Sequence, residues 1–519
     1  MSASREKKIR QEQTASGAKN EKAVKAAQEA AKQRRSNILY TVIAVVFVLV
    51  AAVSWLLSSG VLQRNAAAME LDGRKYTAAE VSYYYRNAVT SVRSSAYASY
   101  YGLDSTAPYD EQQISDTAKM LLGLSDDSIV TWEDYFQYTA KQLMVRTYAL
   151  EKAGKEAGFA FDETQQAEFD ATMDSLKSYA VSSGYPVKSY IRVVYGNYMT
   201  MNTLKELLRS DIYAEYYSNS YADGLTYSDA DLQAYYESDR ECFDVADYEY
   251  LYISGAAEPA VDADGNAAEA TDAEIAAAAQ AAKDCLADAE ERAANGEALE
   301  DIAASYDDDA LISYRHVTNQ VSNASELSQW VFAEGRADGD ITTIDTTVDG
   351  GTPTYYVALF HSAGRPEYNT VSVRHILIQP DSSNADADAA KADARAQAED
   401  ILRQWKNGAA SEEFFAELAG LYSSDGGSQN NGGLYENIQQ GDMVQPFNDW
   451  CFDASRKAGD TGIVETDYGY HVMYFSAAGD VAWKTQVRDE MKAADVNDYI
   501  GSLTEGLEPV VLSGMKYVG

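Results

Sequence analysis

The chain has 519 residues, with 42 Lys+Arg against 81 Asp+Glu and three cysteines. That length exceeds what one hydrophobic core serves, and a net charge of −39 repels phosphate, so nucleic acid is excluded as a partner for the bulk of the chain. Cys242, Cys285 and Cys451 lie too far apart for a zinc motif or a disulfide framework and are read as buried apolar residues.

The charge is not evenly spread. Residues 1–36 carry ten Lys/Arg against four Asp/Glu, leaving 32 against 77 for the remainder. Between the two blocks, residues 37–63 hold no charge, and "ILYTVIAVVFVLVAAVSWLL" (Ile38–Leu57) is almost wholly apolar. Twenty residues in a helix span about 30 Å, the depth of the hydrocarbon layer. Tyr40 and Trp55 stand where amphipathic rings favour the interface. "NAAAME" would suit signal cleavage, but both the apolar run and the basic tail are long for a signal peptide. The expectation is a basic cytoplasmic tail (1–36) and one uncleaved transmembrane anchor (37–63). The acidic bulk then lies outside a cell membrane.

Past the anchor, "MELDGRKYTAAEVSYYY" predicts a hairpin turning on Asp72-Gly73, then a helix opened by a Thr77-x-x-Glu80 capping box. Helical periodicity continues through "TWEDYFQYTAKQLMVRTYALEKAGKEAG", Glu163–Tyr179, Val187–Ser218 and the capped "SDADLQAYYES". The tyrosines clustered here are read as helix packing with a wet hydroxyl. A helical domain over 69–240 follows, with the C-terminal segment 482–519, a helix and a terminal strand, packing on it.

"DYEYLYIS" (Asp247–Ser254) alternates as a strand. The acidic, low-complexity loop after it contains Asp262-x-Asp264, too incomplete for a calcium loop. A helix from Asp272 then leads to "QWVFAEGRADGD" at 329–340, and "DWCFDASRKAGD" returns at 449–460. Trp, Phe, Arg, Gly and Asp recur at equal offsets, and the flanks align as well: Ile302 with Leu418, Tyr306 with Tyr422, Asp309 with Asp425, Val357 with Val472. One β-α-rich scaffold therefore occurs twice, over 245–365 and 370–480.

The copies differ in chemistry. Where the second reads "VRHILI" and "GYHVMYF", with His375 and His471, the first has Tyr250 and Tyr356. Between Tyr422 and Tyr435 the second copy holds four glycines and Asp425; the first has no glycine there. His316, placed in a loop, and His361, at a strand end, are read as ordinary polar surface.

With "RHILI", "FFAELAGLYSSDGGSQNNGG", "GDMVQPF", "WCF" and "YGYHVMYF" in this order, Val371–Ala478 resembles the parvulin family of peptidyl-prolyl cis-trans isomerases. A basic tail, an anchor, a helical domain and a parvulin domain together resemble PrsA/SurA-type extracytoplasmic foldases. The resemblance implies His375, Asp425 and His471 as catalytic residues, with Met443, Phe447 and Tyr435 binding substrate. Leu434-Tyr435-Glu436 departs from the Asp-Leu-Gly that parvulins usually carry there. It implies neither cofactor nor metal, since amide rotation breaks no bond and needs only a site that favours the twisted amide over the planar one. The expected fold is α+β: one transmembrane helix, a helical SurA-like chaperone domain and two tandem parvulin-like domains, the first degenerate. The expected function is a membrane-anchored isomerase and chaperone acting on unfolded or newly secreted polypeptides with X-Pro bonds. The alternatives are a non-catalytic holdase built from parvulin-like modules and an envelope scaffold.

Overall fold

The computed structural model describes residues 7, 8, 10, 11, 25, 32, 33, 40–55, 59–257, 260, 261, 267, 268, 270–306 and 310–519. Residues 40–55 are helical, and every side chain along them is exposed, Phe47 and Trp55 included. Among the described residues no helix is long and apolar enough to cross a membrane. The expected span is therefore not shown: its central sixteen residues, 40–55, are helical, and 38, 39, 56 and 57 lie outside those described. Asp262 and Asp264 also lie outside them.

Two compact units are present: residues 1–224 with 495–519, and residues 225–494. In the first, strands β1 (Ala67–Leu71) and β2 (Arg74–Thr77) form the predicted hairpin. Asp72 and Gly73 both take positive φ, 48° and 76°, as a tight primed turn requires. Helix α1 (Ala78–Arg93) opens on the expected capping box, with Thr77 and Glu80 satisfying each other's backbone N–H. It is followed by α2 (Trp132–Glu156), α3 (Glu163–Ser182), α4 (Val187–Tyr195) and α5 (Met201–Gly224). The single helix expected over 187–218 is two helices. The chain breaks at Gly196, whose φ of 108° no side chain tolerates easily.

Tyr83, Tyr84 and Tyr85 are buried in this core beside Trp132 and Phe136. Two of the hydroxyls find carboxylates, Tyr83 on Asp211 at 2.6 Å and Tyr85 on Glu133 at 2.5 Å, so these two tyrosines pack with the polar tip satisfied. At the C-terminus, Val510–Val511 pairs antiparallel with Met69 and Glu70 of β1.

The second unit begins with α6 (Asp229–Ser238) and contains two four-stranded antiparallel sheets. The first sheet is built from β3 (Val245–Ser254), β6 (Ile312–Val321), β7 (Ile341–Asp345) and β8 (Thr354–Gly364). A two-stranded ribbon, β4 (Ala260–Val261) with β5 (Ala267–Ala268), lies between β3 and β6 in sequence. The second sheet is built from β9 (Asn369–Ile378), β10 (Leu434–Ile438), β11 (Thr461–Thr466) and β12 (Gly469–Val481). Strand orders are β6-β3-β8-β7 and β10-β9-β12-β11, the same path traced twice.

Each sheet carries two helices on one face and one on the other. In the first these are α7 (Asp272–Ala294), α8 (Leu299–Ala304) and, opposite, α9 (Glu326–Val331). In the second they are α10 (Ala387–Asn407), α11 (Glu412–Tyr422) and, opposite, α12 (Gln445–Phe452).

The repeated phrase has the same local work in both copies. Arg336 lies 4.3 Å over the Trp330 ring and donates from Nε to the Trp330 carbonyl; Arg456 does the same to Trp450 at 4.2 Å. Gly339 and Gly459 take φ of 88° and 91°. Each donates its N–H to the carbonyl of a strand phenylalanine, Phe360 or Phe475, at 2.9 Å. The two tryptophans are only half-buried; the fully enclosed members of the phrase are Val331 and Cys451. The guanidinium that covers one face of the ring must itself reach water, which is why the aromatic sits at the edge of the core. Cys285 is also buried, whereas Cys242 is exposed, contrary to the core reading.

Candidate active site

Alternation along β9 and β12 places the site. Ile376 and Ile378, with Val472 and Tyr474, face α10 and α11. Val371, Val373, Met473 and Phe475 face α12. His375 and His471 continue that second row, so both rings point to the α12 side, where they are 3 % and 5 % exposed. The pairing register sets Ile376 against Val472, and the two rings meet with centroids 5.3 Å apart.

A line of hydrogen bonds runs through the pair. His375 Nδ1 and His471 Nδ1 are 3.0 Å apart. His375 Nε2 lies 2.9 Å from Asp425 Oδ2, and His471 Nε2 lies 2.8 Å from Thr466 Oγ1. One assignment of protons satisfies every contact with both rings neutral. Thr466 donates to His471 Nε2, His471 Nδ1–H donates to His375 Nδ1, and His375 Nε2–H donates to the carboxylate. Burial favours that neutral state: it lowers the pKa of His375 against the opposing pull of Asp425. Burial, with the His375 charge, lowers His471 to about 4.

Asp425 is the anionic end. Burial opposes its ionisation, but hydrogen bonds from Ser428, His375, the Gly427 N–H and Tyr435 outweigh that and hold it at about 2. Tyr435 donates to Oδ2 at 3.0 Å, and Ser428 Oγ donates to the same oxygen. Phe447 stands edge-on to both imidazoles, with centroids 5.4 Å from His375 and 5.3 Å from His471. Met443 and Tyr435 pack against the cluster that contains Phe447. All six expected residues therefore converge on one face of one sheet.

Two participants were missed. Ser428 stands in the quoted loop three residues after Asp425, a spacing that could have suggested it; Thr466 left no signal in the sequence. One of the loop glycines has a packing role. Gly433 takes φ of 73°, and a Cβ there would come 2.2 Å from the His375 carbonyl oxygen. Its own carbonyl accepts from the His375 N–H at 2.8 Å. The glycine lets the loop lie against β9, which holds Asp425 over His375.

In the first sheet Leu251 pairs with Val357 as Ile376 does with Val472, so Tyr250 and Tyr356 occupy the histidine positions. Their rings are 5.4 Å apart. His316 and His361 belong to β6 and β8, neither in a loop nor at a strand terminus.

A sheet with paired buried imidazoles, a loop carboxylate and an aromatic wall, covered by helices on both faces, is the arrangement of a parvulin-type domain. Residues 358–477 match the family described as PPIC-type PPIASE domain. The chain is 30% identical over 132 residues to foldase protein PrsA 1 of Listeria innocua, covering 25% of this chain and 39% of that one. It is 28% identical over 146 residues to the Listeria monocytogenes serotype 4b protein of the same name, covering 28% and 43%. A crystal structure of PrsA from Bacillus subtilis aligns over 74% of this chain and 91% of that one, at 13% identity and a TM-score of 0.30. The chain carries a parvulin-type peptidyl-prolyl isomerase domain similar to that of PrsA foldases, and it spans about two fifths of the length of the curated relatives it matches.

Proposed function

We propose that this chain is a peptidyl-prolyl cis-trans isomerase and chaperone for polypeptides folding outside the cytoplasm. Its activity would reside in residues 370–480, with His375, Asp425 and His471 as the catalytic network. The observation that carries the reading is the one-directional hydrogen-bond line from Thr466 to Asp425, fixed beside the apolar wall of Phe447 and Met443. Twisting a prolyl amide removes resonance and leaves a carbonyl oxygen and a nitrogen lone pair with altered charge. A set of dipoles fixed before the substrate arrives favours that state without reorganising. The prolyl ring would rest on Met443, Phe447 and Tyr435, and no side chain needs to act as a nucleophile.

The remaining segments are assigned on the same footing. Residues 245–365 would be a parvulin-like copy without the histidine pair, and the helical chaperone domain, expected over 69–240 with 482–519, would be the compact unit of 69–224 with 495–519. Residues 37–63 would anchor the chain, with 1–36 cytoplasmic. Support for the anchor comes from the uncharged run and from the exposed apolar side chains of 40–55. The non-catalytic holdase is the second reading, favoured by Tyr435, which adds a phenol beside His375 at a centroid distance of 5.3 Å.

A proline-peptide isomerisation assay on the full-length chain in detergent micelles distinguishes the two. His375→Ala and His471→Ala should each abolish most of the rate while suppression of client aggregation survives. An inactive unsubstituted chain that still suppresses aggregation would establish the holdase.

A further inference from the structure

The four histidines of the chain fall into two pairs, and the pair in the first sheet has no place in isomerisation. Asp247 and Glu249 stand at alternate positions of β3 and point to the same face. His316 of β6 lies directly across from Glu249, and on β8 Leu359 lies across from it, with His361 two residues further on the same face. Three adjacent strands therefore deliver two imidazoles and two carboxylates to one spot. The rings are 5.8 Å apart at 70°.

The contacts within the group are close. His316 Nε2 lies 2.7 Å from Asp247 Oδ1. His361 has a carboxylate at each ring nitrogen: Glu249 Oε1 at 2.9 Å from Nε2 and Asp338 Oδ1 at 3.3 Å from Nδ1. One ligand atom from each of Asp247, His316 and His361 lies within 4.8 Å of the others. Their side chains are 40%, 37% and 30% exposed, so the group is open to solvent.

We propose that Asp247, His316 and His361 form a divalent transition-metal site of the zinc(II) class, with Glu249 and Asp338 as supporting carboxylates. Two imidazoles select against calcium and magnesium, which take oxygen ligands. Two histidines and one carboxylate make a three-ligand set that zinc accepts, with a water completing a tetrahedron. Drawing the three donors onto one ion needs only a small inward movement of half-exposed side chains. A metal-bound histidine presents its other ring N–H to a carboxylate, which fixes its orientation, and His361 already has carboxylates placed for that. The ion would also relieve the mutual repulsion of Asp247 and Glu249, both on β3, and Asp338 of the turn before β7. The site would tie β3, β6 and β8 together at the end of the sheet remote from the ribbon. It lies in the copy that lacks the histidine pair of the proposed active site, so its occupancy is independent of isomerase chemistry.

The test is calorimetric titration of the full-length chain in detergent with Zn²⁺, in a large excess of Mg²⁺ that saturates the ordinary acidic surface. Co²⁺ absorption serves as a second readout of imidazole ligation. One saturable site is expected, with visible Co²⁺ bands. His316→Ala, His361→Ala and the shape-preserving Asp247→Asn should each weaken it by about tenfold or more. His375→Ala combined with His471→Ala should leave it unchanged. Circular dichroism checks that each variant is folded. The proposal is overturned if no saturable Zn²⁺ site survives Mg²⁺, if affinity is unchanged in His316→Ala or His361→Ala, or if the bound ion is lost with His375 and His471 instead.

Discussion

Asp425→Asn separates the charge of this residue from its shape. Asp425 Oδ2 receives His375 Nε2 at 2.9 Å, the Tyr435 hydroxyl at 3.0 Å and the Ser428 hydroxyl. An amide places either one oxygen or an NH₂ group at that point, and the NH₂ would face three donors. To accept from it, His375 would have to move its proton to Nδ1, which faces His471 Nδ1 at 3.0 Å. His471 must then present a bare Nδ1 and carry its proton on Nε2, so the whole line reverses or breaks. The carboxyl is held at about 2 against 3.8 for a free group, a shift equivalent to about 2.5 kcal/mol. With its side chain 20% exposed, water screens part of this, and about 1–2 kcal/mol is the expected loss at pH 7. Because the pKa is depressed, that contribution is complete above pH 3.8 and disappears as pH falls to about 2. Loss of the fixed dipoles should lower kcat/KM by about 100-fold, or about 2.7 kcal/mol of barrier. The assays are proline-peptide isomerisation at pH 7 and chemical unfolding at pH 7 and near pH 2. A rate within about threefold of the unsubstituted chain would refute the catalytic reading of the line. A stability difference that persists undiminished near pH 2 would refute the charge argument.

Two further outcomes follow from the same geometry. Because His471 is lowered to about 4 and His375 is also lowered, both stay neutral at neutral pH, so the isomerase rate should be flat from about pH 6 to 8 and fall only in acid. The unfolded chain binds these protons first, so stability should rise with pH between about 4 and 6.5; a rate that follows a group titrating near 7 contradicts this. Gly433→Ala places a Cβ 2.2 Å from the His375 carbonyl oxygen at a φ of 73°, so it should cost about 1–3 kcal/mol and displace Asp425 from His375. Unfolding and isomerisation should both register it, and an unaffected protein would mean that the loop does not rest on β9.

The sequence carried the site better than the helical unit. Period-two alternation in "VRHILI" and "GYHVMYF" requires each histidine to share a face with its apolar neighbours two residues away, and antiparallel pairing does the rest. The Asp72-Gly73 turn and the Thr77 capping box were equally legible, because each is a contact within four residues. What stayed hidden depends on partners distant in sequence. Nothing local distinguishes Gly196, where the expected single helix breaks, and its added Cβ would meet the Ser82 side chain at 2.9 Å. The half-burial of Trp330 and Trp450 depends on an arginine six residues on folding back over each ring. His316 and His361 lacked any motif because their neighbours come from three strands.

The paired tyrosines of the first sheet allow the sharpest division between scaffold and chemistry. Tyr250 and Tyr356 hold ring centroids 5.4 Å apart at 64°, against 5.3 Å and 21° for the histidines. The backbone thus presents two rings at the same spacing in both copies, but a phenol carries its one polar atom at the far end of the ring. Imidazole has nitrogens on both edges and can pass a hydrogen-bond direction across its ring; a phenol donates and accepts only at its one oxygen, so it cannot. Tyr250 instead packs with Tyr248 at 6.1 Å, and Tyr356 with Tyr252 at 5.4 Å, as members of an aromatic face. Tyr250→Phe and Tyr356→Phe remove only the hydroxyls, so the full-length chain should isomerise a proline peptide at an unchanged rate. Added to His375→Ala, they should find no residual activity to remove. If either substitution slowed the otherwise unaltered chain, the first copy would be contributing to catalysis, and one active site per chain would be the wrong count.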